Sequence, residues 1–392
     1  MKKILSVVLC LCLVCALLAG CGSSGSASGN KTVTIGVFEP ASGDNGPGGK
    51  QETLGIQYAH KLNPTVEING ETYDVVLKIV DNESSNDKAP TAASELVSAD
   101  CSVVLGSYGS SVSNAGKPIF EAAGVPVIGV TCTNPTVTEG NDFYYRICFL
   151  DPFQGPLLAN YASKNIGATK AYCLSKLGDD YSGGLVNYFA EAFEALGGEC
   201  VREEFPEGNA DFTSYITNAK NEGCGVFFSP VSIEAAQLII KAADAQGLEI
   251  PLLAGDTWDS NVVSGAAVGT KCQVTVTTFY SDGEDPEFEA GIKEWFNSDS
   301  TAYASNGDSD VLAAVTVMGY DAYNVALEAL RKAGSTEPAA VKAALAEVEW
   351  DGVSGHIRFD ETGDAIVNVA YVKTADTETG LYVGGGSVSI DN

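Results

Sequence analysis

The chain has 392 residues, too many for one ordinary domain, and 45% hydrophobic against 19% charged residues gives it material for sizeable cores. Its 22 Lys and Arg against 51 Asp and Glu leave a net charge of -29, a field that repels phosphate backbones and excludes nucleic acid as a partner. With only two histidines, His60 and His356, there is little scope for His-based metal or nucleophile chemistry.

The N-terminus places Lys2 and Lys3 before an apolar run over 4–18 and then small residues, the layout of a bacterial secretory signal. Residues 1–20 are therefore expected to be a signal peptide. The run ends in Leu18-Ala19-Gly20-Cys21, which resembles the lipobox of bacterial lipoproteins, so Cys21 is the expected lipid attachment. An uncleaved anchor helix with an incidental cysteine is the plainer alternative. Residues 21–31 are rich in Gly, Ser and Ala and read as a flexible linker, with an r.m.s. span on the order of 15 to 20 Å. Of eleven cysteines, four (Cys10, Cys12, Cys15 and Cys21) lie in this leader. The other seven are widely spaced and form no C-x-x-C, so they read as small buried hydrophobes rather than metal or redox ligands.

From Thr32 onward, short apolar runs alternate with helical patterns, which predicts parallel sheets covered by helices. The first series predicts a strand over 33–38, a helix over 51–62, a turn at Asn69-Gly70, a strand over 73–81 and a helix over 87–98. A strand over 103–106, a helix from Ser110 and a strand over 127–129 follow. The second series predicts helices over 153–164, 181–196, 212–222 and 233–246 between strands over 170–174, 199–205, 226–228, 252–254 and 273–279. Both series contain a strand, a Ser-rich turn, a helix ending in Gly, a Pro and a strand, at 103–129 and 226–254. That repetition predicts two lobes of like topology. Helices over 286–296, 311–332 and 338–347 precede strands over 356–359, 366–373 and 381–390.

If the late helices return to the first lobe before the chain ends in the second, three crossings join the lobes as a hinge, near 146–151, 278–282 and 350–359. The expected fold is thus α/β, two doubly wound parallel-sheet lobes joined by a three-segment hinge. Residues 32–148 with 280–352 are expected to form lobe 1, and 149–279 with 353–392 lobe 2.

Catalytic signatures are missing. No serine sits in G-x-S-x-G, the Gly-rich stretch 43–50 fails the P-loop pattern at Asp44 and Gln51, and no dinucleotide or metalloprotease fingerprint follows the first strand. Neither an enzyme nor a cofactor is expected. Small polar residues do stand at strand ends, where ligands of open α/β sheets lie. Tyr108, Gly109 and Ser110 precede a helix and suit a carboxylate, or Ser110 is only an N-cap; Thr131, Cys132 and Thr133 follow the next strand similarly. Across from them, Tyr181, Ser232, Asp256, Thr257 and Asp259 offer acids and an aromatic ring, and Trp258 is placed at the same site. Together the two walls suit a zwitterion, its ammonium on Asp256 or Asp259.

The runs Ile35-Gly36-Val37-Phe38-Glu39-Pro40-Ala41-Ser42-Gly43, Gly106 to Ser111, Asp151-Pro152-Phe153-Gln154-Gly155, Asp180-Tyr181-Ser182-Gly183 and Gly255-Asp256-Thr257-Trp258 resemble the type I periplasmic binding proteins. More closely, the chain resembles the branched-chain amino acid substrate-binding lipoproteins of ABC transporters. The resemblance implies a clamp that captures an amino acid or similar small zwitterion and delivers it to an ABC permease and ATPase, attached to the membrane only through a lipid anchor. It also implies that Ser110 and Thr133 hold the carboxylate, with backbone help at Tyr108 and Thr131, while Tyr181 packs on the ligand. Val231 and Gly48 stand where family tyrosines would, and Thr257 nearest the family's ammonium-binding glutamate, with Asp256 beside it as substitute. Side-chain selectivity is expected around Tyr181, Val231 and Phe279. A ligand-sensing receptor component for an amino acid or amide is the alternative.

Overall fold

A computed structural model describes residues 31–367 and 369–389. The expected signal peptide, lipobox cysteine and residues 22–30 of the linker lie outside the described residues.

The alternating pattern folds into two sheets, each covered by helices. β1 (Lys31–Glu39) ends in five consecutive buried residues because it lies inside the first sheet, covered on both faces. It leads to α1 (Gly46–Leu62) and then to a hairpin of β2 (Thr65–Ile68) and β3 (Glu71–Asp81). Asn69 and Gly70 turn the hairpin at φ 51° and 77°, the paired left-handed conformation that Asn-Gly favours. The lobe continues through α2 (Ala89–Ser98), β4 (Val103–Leu105), α3 (Ser110–Ala123), β5 (Val127–Gly129) and β6 (Tyr144–Arg146). The sheet order is β2-β3-β1-β4-β5-β6, with β1, β4, β5 and β6 parallel.

The second series forms α4 (Asp151–Tyr161), β7 (Lys170–Lys176), α5 (Asp180–Ala195), β8 (Glu199–Phe205), α6 (Thr213–Asn221) and β9 (Val226–Phe228). It ends with α7 (Ile233–Ala245), β10 (Leu252–Ala254), α8 (Asn261–Ala266) and β11 (Val274–Thr278). Next come α9 (Pro286–Ser298), α10 (Ser300–Ser305), α11 (Ala314–Ala333), α12 (Pro338–Leu345) and a hairpin of β12 (Glu349–Gly352) and β13 (Gly355–Arg358). β14 (Val369–Ala375) and β15 (Tyr382–Ser389) then join the second sheet, whose order is β15-β14-β11-β10-β9-β7-β8. Strands β7 to β11 are mutually parallel, and the last two run antiparallel.

The repeated grammar corresponds to two parallel crossovers, β4–α3–β5 and β9–α7–β10. Gly124 and Gly247 turn the chain out of the two helices at φ 71° and 58°, where a side chain would be strained. α11, buried along most of its length, packs against α1, so the late helices return to the first lobe.

The three crossings run together. Arg146 pairs with Asp364 as a parallel bridge, through Arg146 N–H to the Gly363 carbonyl at 2.9 Å and Ala365 N–H to the Arg146 carbonyl at 3.0 Å. Phe149 of the first crossing packs on Phe279 of the second with ring centroids 4.4 Å apart. The third crossing lies later than 350–359. Asp321 of α11 accepts from Val353 N–H at 3.0 Å and Ser354 N–H at 2.7 Å, so the β12–β13 turn stays pinned to the first-lobe helix. The crossing follows that hairpin, between β13 and β14. Strands β6 and β12 escape the sequence reading because neither is an apolar run, β6 reading Tyr-Tyr-Arg and β12 Glu-Trp-Asp-Gly.

Candidate functional site between the two lobes

In each sheet, successive crossovers leave one strand in opposite directions. β1 has β3 on one side and β4 on the other, and β7 has β8 and β9. Such reversals open a crevice at the carboxyl ends of the strands. The loops after β1, β4 and β5 therefore meet those after β7, β9 and β10. Lys176 Nζ reaches Asp44 at 3.0 Å, Ser111 Oγ donates to Asp179 at 2.8 Å, and Ile233 N–H donates to Asn45 at 3.1 Å. The Tyr108 hydroxyl donates to the Thr257 carbonyl at 3.0 Å.

Between the lobes lies a cavity of about 390 Å³, and of the expected residues Gly109, Tyr181, Ser232 and Thr257 line it. Behind this wall, Tyr108, Ser110, Thr131, Thr133 and Asp256 are buried. Ser110 opens α3, and its Oγ accepts the Asn134 N–H at 3.1 Å, leaving its own O–H free to donate. The first N–H groups of α3 have no helical carbonyl to reach. Thr133 Oγ1 has no hydrogen-bond partner among the described residues.

Asp256 faces them from the second lobe. It accepts from Gln154 Nε2 and from the Tyr181 hydroxyl, each at 2.9 Å, while the Gln154 carbonyl oxygen accepts the Asp256 N–H at 2.9 Å. Burial raises its carboxyl to about 6, against the smaller downward pull of those hydrogen bonds. Asp259 does not share this role: it takes the Thr278 hydroxyl and meets Lys373 Nζ at 3.6 Å within its own lobe.

Several expected contacts point elsewhere. Cys132 is fully buried in the apolar core around Phe38, Val104 and Phe120, and its carbonyl accepts from Arg146 at 2.9 Å. Phe279 lines a separate cavity of about 690 Å³ behind the hinge, with Phe149, Met318 and His356. Trp258 is fully buried, its indole N–H donating to the Val231 carbonyl at 2.9 Å, so it braces the wall rather than lining it. Val231 is itself buried and presents that carbonyl. Gly48 is explained by Tyr108: a Cβ on Gly48 would stand 2.5 Å from the Tyr108 ring, which occupies that space.

Two acids and an amide that the sequence reading left unassigned are central here. Glu39, at the end of β1, accepts the Tyr108 N–H at 2.7 Å, and Glu52 of α1 accepts the Thr131 hydroxyl at 2.5 Å. Both are buried, and among the described residues Glu39 Oε1 and Glu52 Oε1 receive no hydrogen bond. Burial pushes both well above the ordinary carboxylate range, and the charge of Asp256 raises Glu52 further. The signal for Glu52 is its place in the buried helical stripe with Gly55, Ile56 and Ala59, where a charge is out of pattern. Gln154, which orients Asp256, sits one turn into α4 and carries no such signal.

A family profile described as periplasmic binding protein matches residues 32–379. The chain is similar to Leu/Ile/Val-binding protein homolog 2 of Brucella abortus, 28% identical over 371 residues, 93% of this chain and 94% of that one. It is also 26% identical to an amino acid binding protein of Pseudomonas aeruginosa, over 86% of this chain and 88% of the other. Among solved structures, a leucine-binding protein of Thermotoga maritima superposes with a TM-score of 0.80 at 29% identity, covering 91% of this chain and 99% of its own. A branched-chain amino acid transporter substrate-binding protein of Streptococcus pneumoniae, in complex with isoleucine, shares the fold with a TM-score of 0.79 at 24% identity, over 92% of this chain and 100% of its own. With paired α/β sheets, a crevice at their switch points and a profile running from β1 into the turn before β15, the chain belongs to the periplasmic binding protein family.

Proposed function

We infer that this protein captures an amino acid in the crevice between its lobes, outside the cytoplasm, and delivers it to an ABC importer. The observation that supports this reading is the pair of buried hydroxyls at Ser110 and Thr133 in the first lobe together with the buried Asp256 carboxyl held by Tyr181 in the second. The α-carboxylate sits on those hydroxyls and the first N–H groups of α3; the α-ammonium sits on Asp256, and Tyr181, hydrogen-bonded to the same acid, closes over it. Relatives named for leucine, isoleucine and valine binding support an amino acid as the ligand class. No catalytic step is part of this function.

Residues 32–148 with 280–358 form one jaw and 149–279 with β14 and β15 the other, and the three crossings are the hinge on which they close. Residues 1–20 are removed, and lipidated Cys21 tethers the clamp to the membrane beside its permease and ATPase partners.

A thermal-shift screen of the protein amino acids tests the reading, because a ligand that binds only the folded chain raises its midpoint with ligand excess. No shift with any of them would overturn it. Metabolic palmitate labelling that survives Cys21→Ser would overturn the anchor.

A further inference from the structure

Two helices of the second lobe, α5 and α7, begin at the crevice. The first N–H groups of any helix have no carbonyl of their own helix to reach, so each takes a partner from outside it or from water. In α7, the N-cap Ser232 accepts the Ala235 N–H at 3.4 Å. The two N–H groups before it go to the first lobe. Ile233 donates to Asn45 Oδ1 and Glu234 to the Asp44 carbonyl, each at 3.1 Å.

The start of α5 is divided in the same way. Its N-cap Asp179 accepts the Ser182 N–H at 2.8 Å, while the Asp180 N–H donates to Ser111 Oγ of the first lobe at 2.7 Å. The Ser111 hydroxyl donates in turn to Asp179 at 2.8 Å, so one hydroxyl serves both residues that open α5. Asn114 and Asn134 add bonds to the Asp180 carboxylate and carbonyl at 2.7 and 2.8 Å.

The presenting groups are set by their own lobe. Asn45 is the N-cap residue of α1, yet its side chain makes no bond to that helix and is spent on the one opposite. Its loop is braced: Asn45 N–H donates to Ser84 Oγ at 3.1 Å, and that hydroxyl donates to the Ser42 carbonyl at 2.9 Å. Gly43 turns the loop at φ 76°, where a Cβ would collide with the Glu83 carbonyl. Ser111 lies in the first turn of α3. Neither group has to be ordered as the lobes meet, so the bonds they form carry little entropic cost.

We propose that Asn45 and Ser111 are positioning residues of the clamp: each caps a helix of the opposite lobe, and the two caps together set how tightly the closed lobes hold a captured amino acid. The proposal rests on the amino-acid reading above. Separation of the lobes breaks both caps and hands the amides of Asp180, Ile233 and Glu234 to water; closure gathers them again.

Amide hydrogen exchange read by NMR on the mature protein tests this, with a mixture of the twenty protein amino acids as the probe. Adding the mixture should slow exchange at Asp180, Ile233 and Glu234 by about tenfold or more. Asn45→Ala should then speed exchange at Asp180, and Ser111→Ala at Ile233 and Glu234, each by about fivefold, because both helix starts report one closure. A merely local cap would not move the distant helix start. The half-saturating concentration of the mixture should rise about fivefold in each variant, and Asn45→Asp, which keeps the acceptor, should recover most of the loss. Variants that expose only the helix start they touch, with unchanged half-saturation, would overturn the proposal and leave the amino-acid reading intact. So would exchange that the mixture does not alter in a protein whose melting temperature it raises. A mixture that changes neither exchange nor melting temperature would overturn both.

Discussion

The hydroxyl of Tyr108, at the end of the fourth strand of the first lobe, donates to the carbonyl of Thr257 in the second lobe at 3.0 Å. The same ring fills the space above Gly48, where a Cβ would stand 2.5 Å from it. One side chain is thereby both floor of the crevice and latch across it. Tyr108→Phe keeps the filling and removes the latch. It is expected to weaken ligand binding by about 1 kcal/mol, read by calorimetry, and to lower the stability of the ligand-free protein by a similar amount. Unchanged affinity would remove the bond from any part in closure.

Ser110 and Asp256 are the proposed grips for the two ends of the zwitterion. Ser110→Ala and Asp256→Ala should each weaken binding by about 1 to 3 kcal/mol while the folded state persists. If both variants bind as wild type does, the orientation of the ligand in the crevice is wrong.

Burial keeps Asp256 protonated up to about 6 and Asp151, also fully buried, up to about 8. Unfolded carboxyls ionise near about 4, so across that window the folded chain binds more protons than the unfolded one. The contribution of these groups to stability is complete below the unfolded value and is lost as pH rises through the folded values. The ligand-free protein should therefore melt at a lower temperature at about pH 8 than at about pH 5, and Asp151→Asn should flatten the upper part of that slope. A midpoint that climbs steadily with pH would contradict the assignment.

Arg146 is fully buried and spends its guanidinium on Asp364 at 2.6 Å, the Cys132 and Asn134 carbonyls at 2.9 and 2.5 Å, and Thr138 at 3.0 Å. This fork ties the first crossing to the third. Asp364→Ala leaves the cation buried without its counter-charge and should cost about 3 to 5 kcal/mol in urea denaturation. Arg146→Lys should not restore stability, because a point charge cannot reach all four partners. A loss under about 1 kcal/mol in both would show that the strut contributes little.

Of the seven free cysteines among the described residues, six are buried and Cys200 is partly exposed. A hydrogen bond from Cys173 lowers the Cys200 thiol below its usual range, while burial raises Cys101, Cys132 and Cys148. Iodoacetamide on the native protein should modify Cys200 first. Mass spectrometry finding another of the seven alkylated ahead of it would contradict this burial pattern.

How much of this was legible in the chain can be followed residue by residue. The duplicated run of strand, serine turn, helix, Gly, Pro and strand marked β4–α3–β5 and β9–α7–β10 correctly, because apolar periodicity and left-handed glycines are local properties. Gly109, Tyr181 and Thr257 were marked as strand-end residues and do line the cavity. Phe279, Cys132 and Trp258 carried the same local marks and turn away from it. Their directions follow from the register of β11, the bend after β5 and the short turn after β10, none of which a residue's neighbours in sequence decide.

The sequence by itself determined the alternation of elements, the doubling of the lobe topology and the strand ends at which a ligand must lie, since these depend on spacings of a few residues. Only the tertiary structure decided that Glu52 holds the Thr131 hydroxyl 79 positions away, that Gln154 orients Asp256 102 positions away, and that Asp364 balances Arg146 across 218 positions. Those relationships arise where two separately built sheets converge. A buried charge is tolerable only where a partner is held within hydrogen-bond reach, and closure of the fold alone brings such partners together.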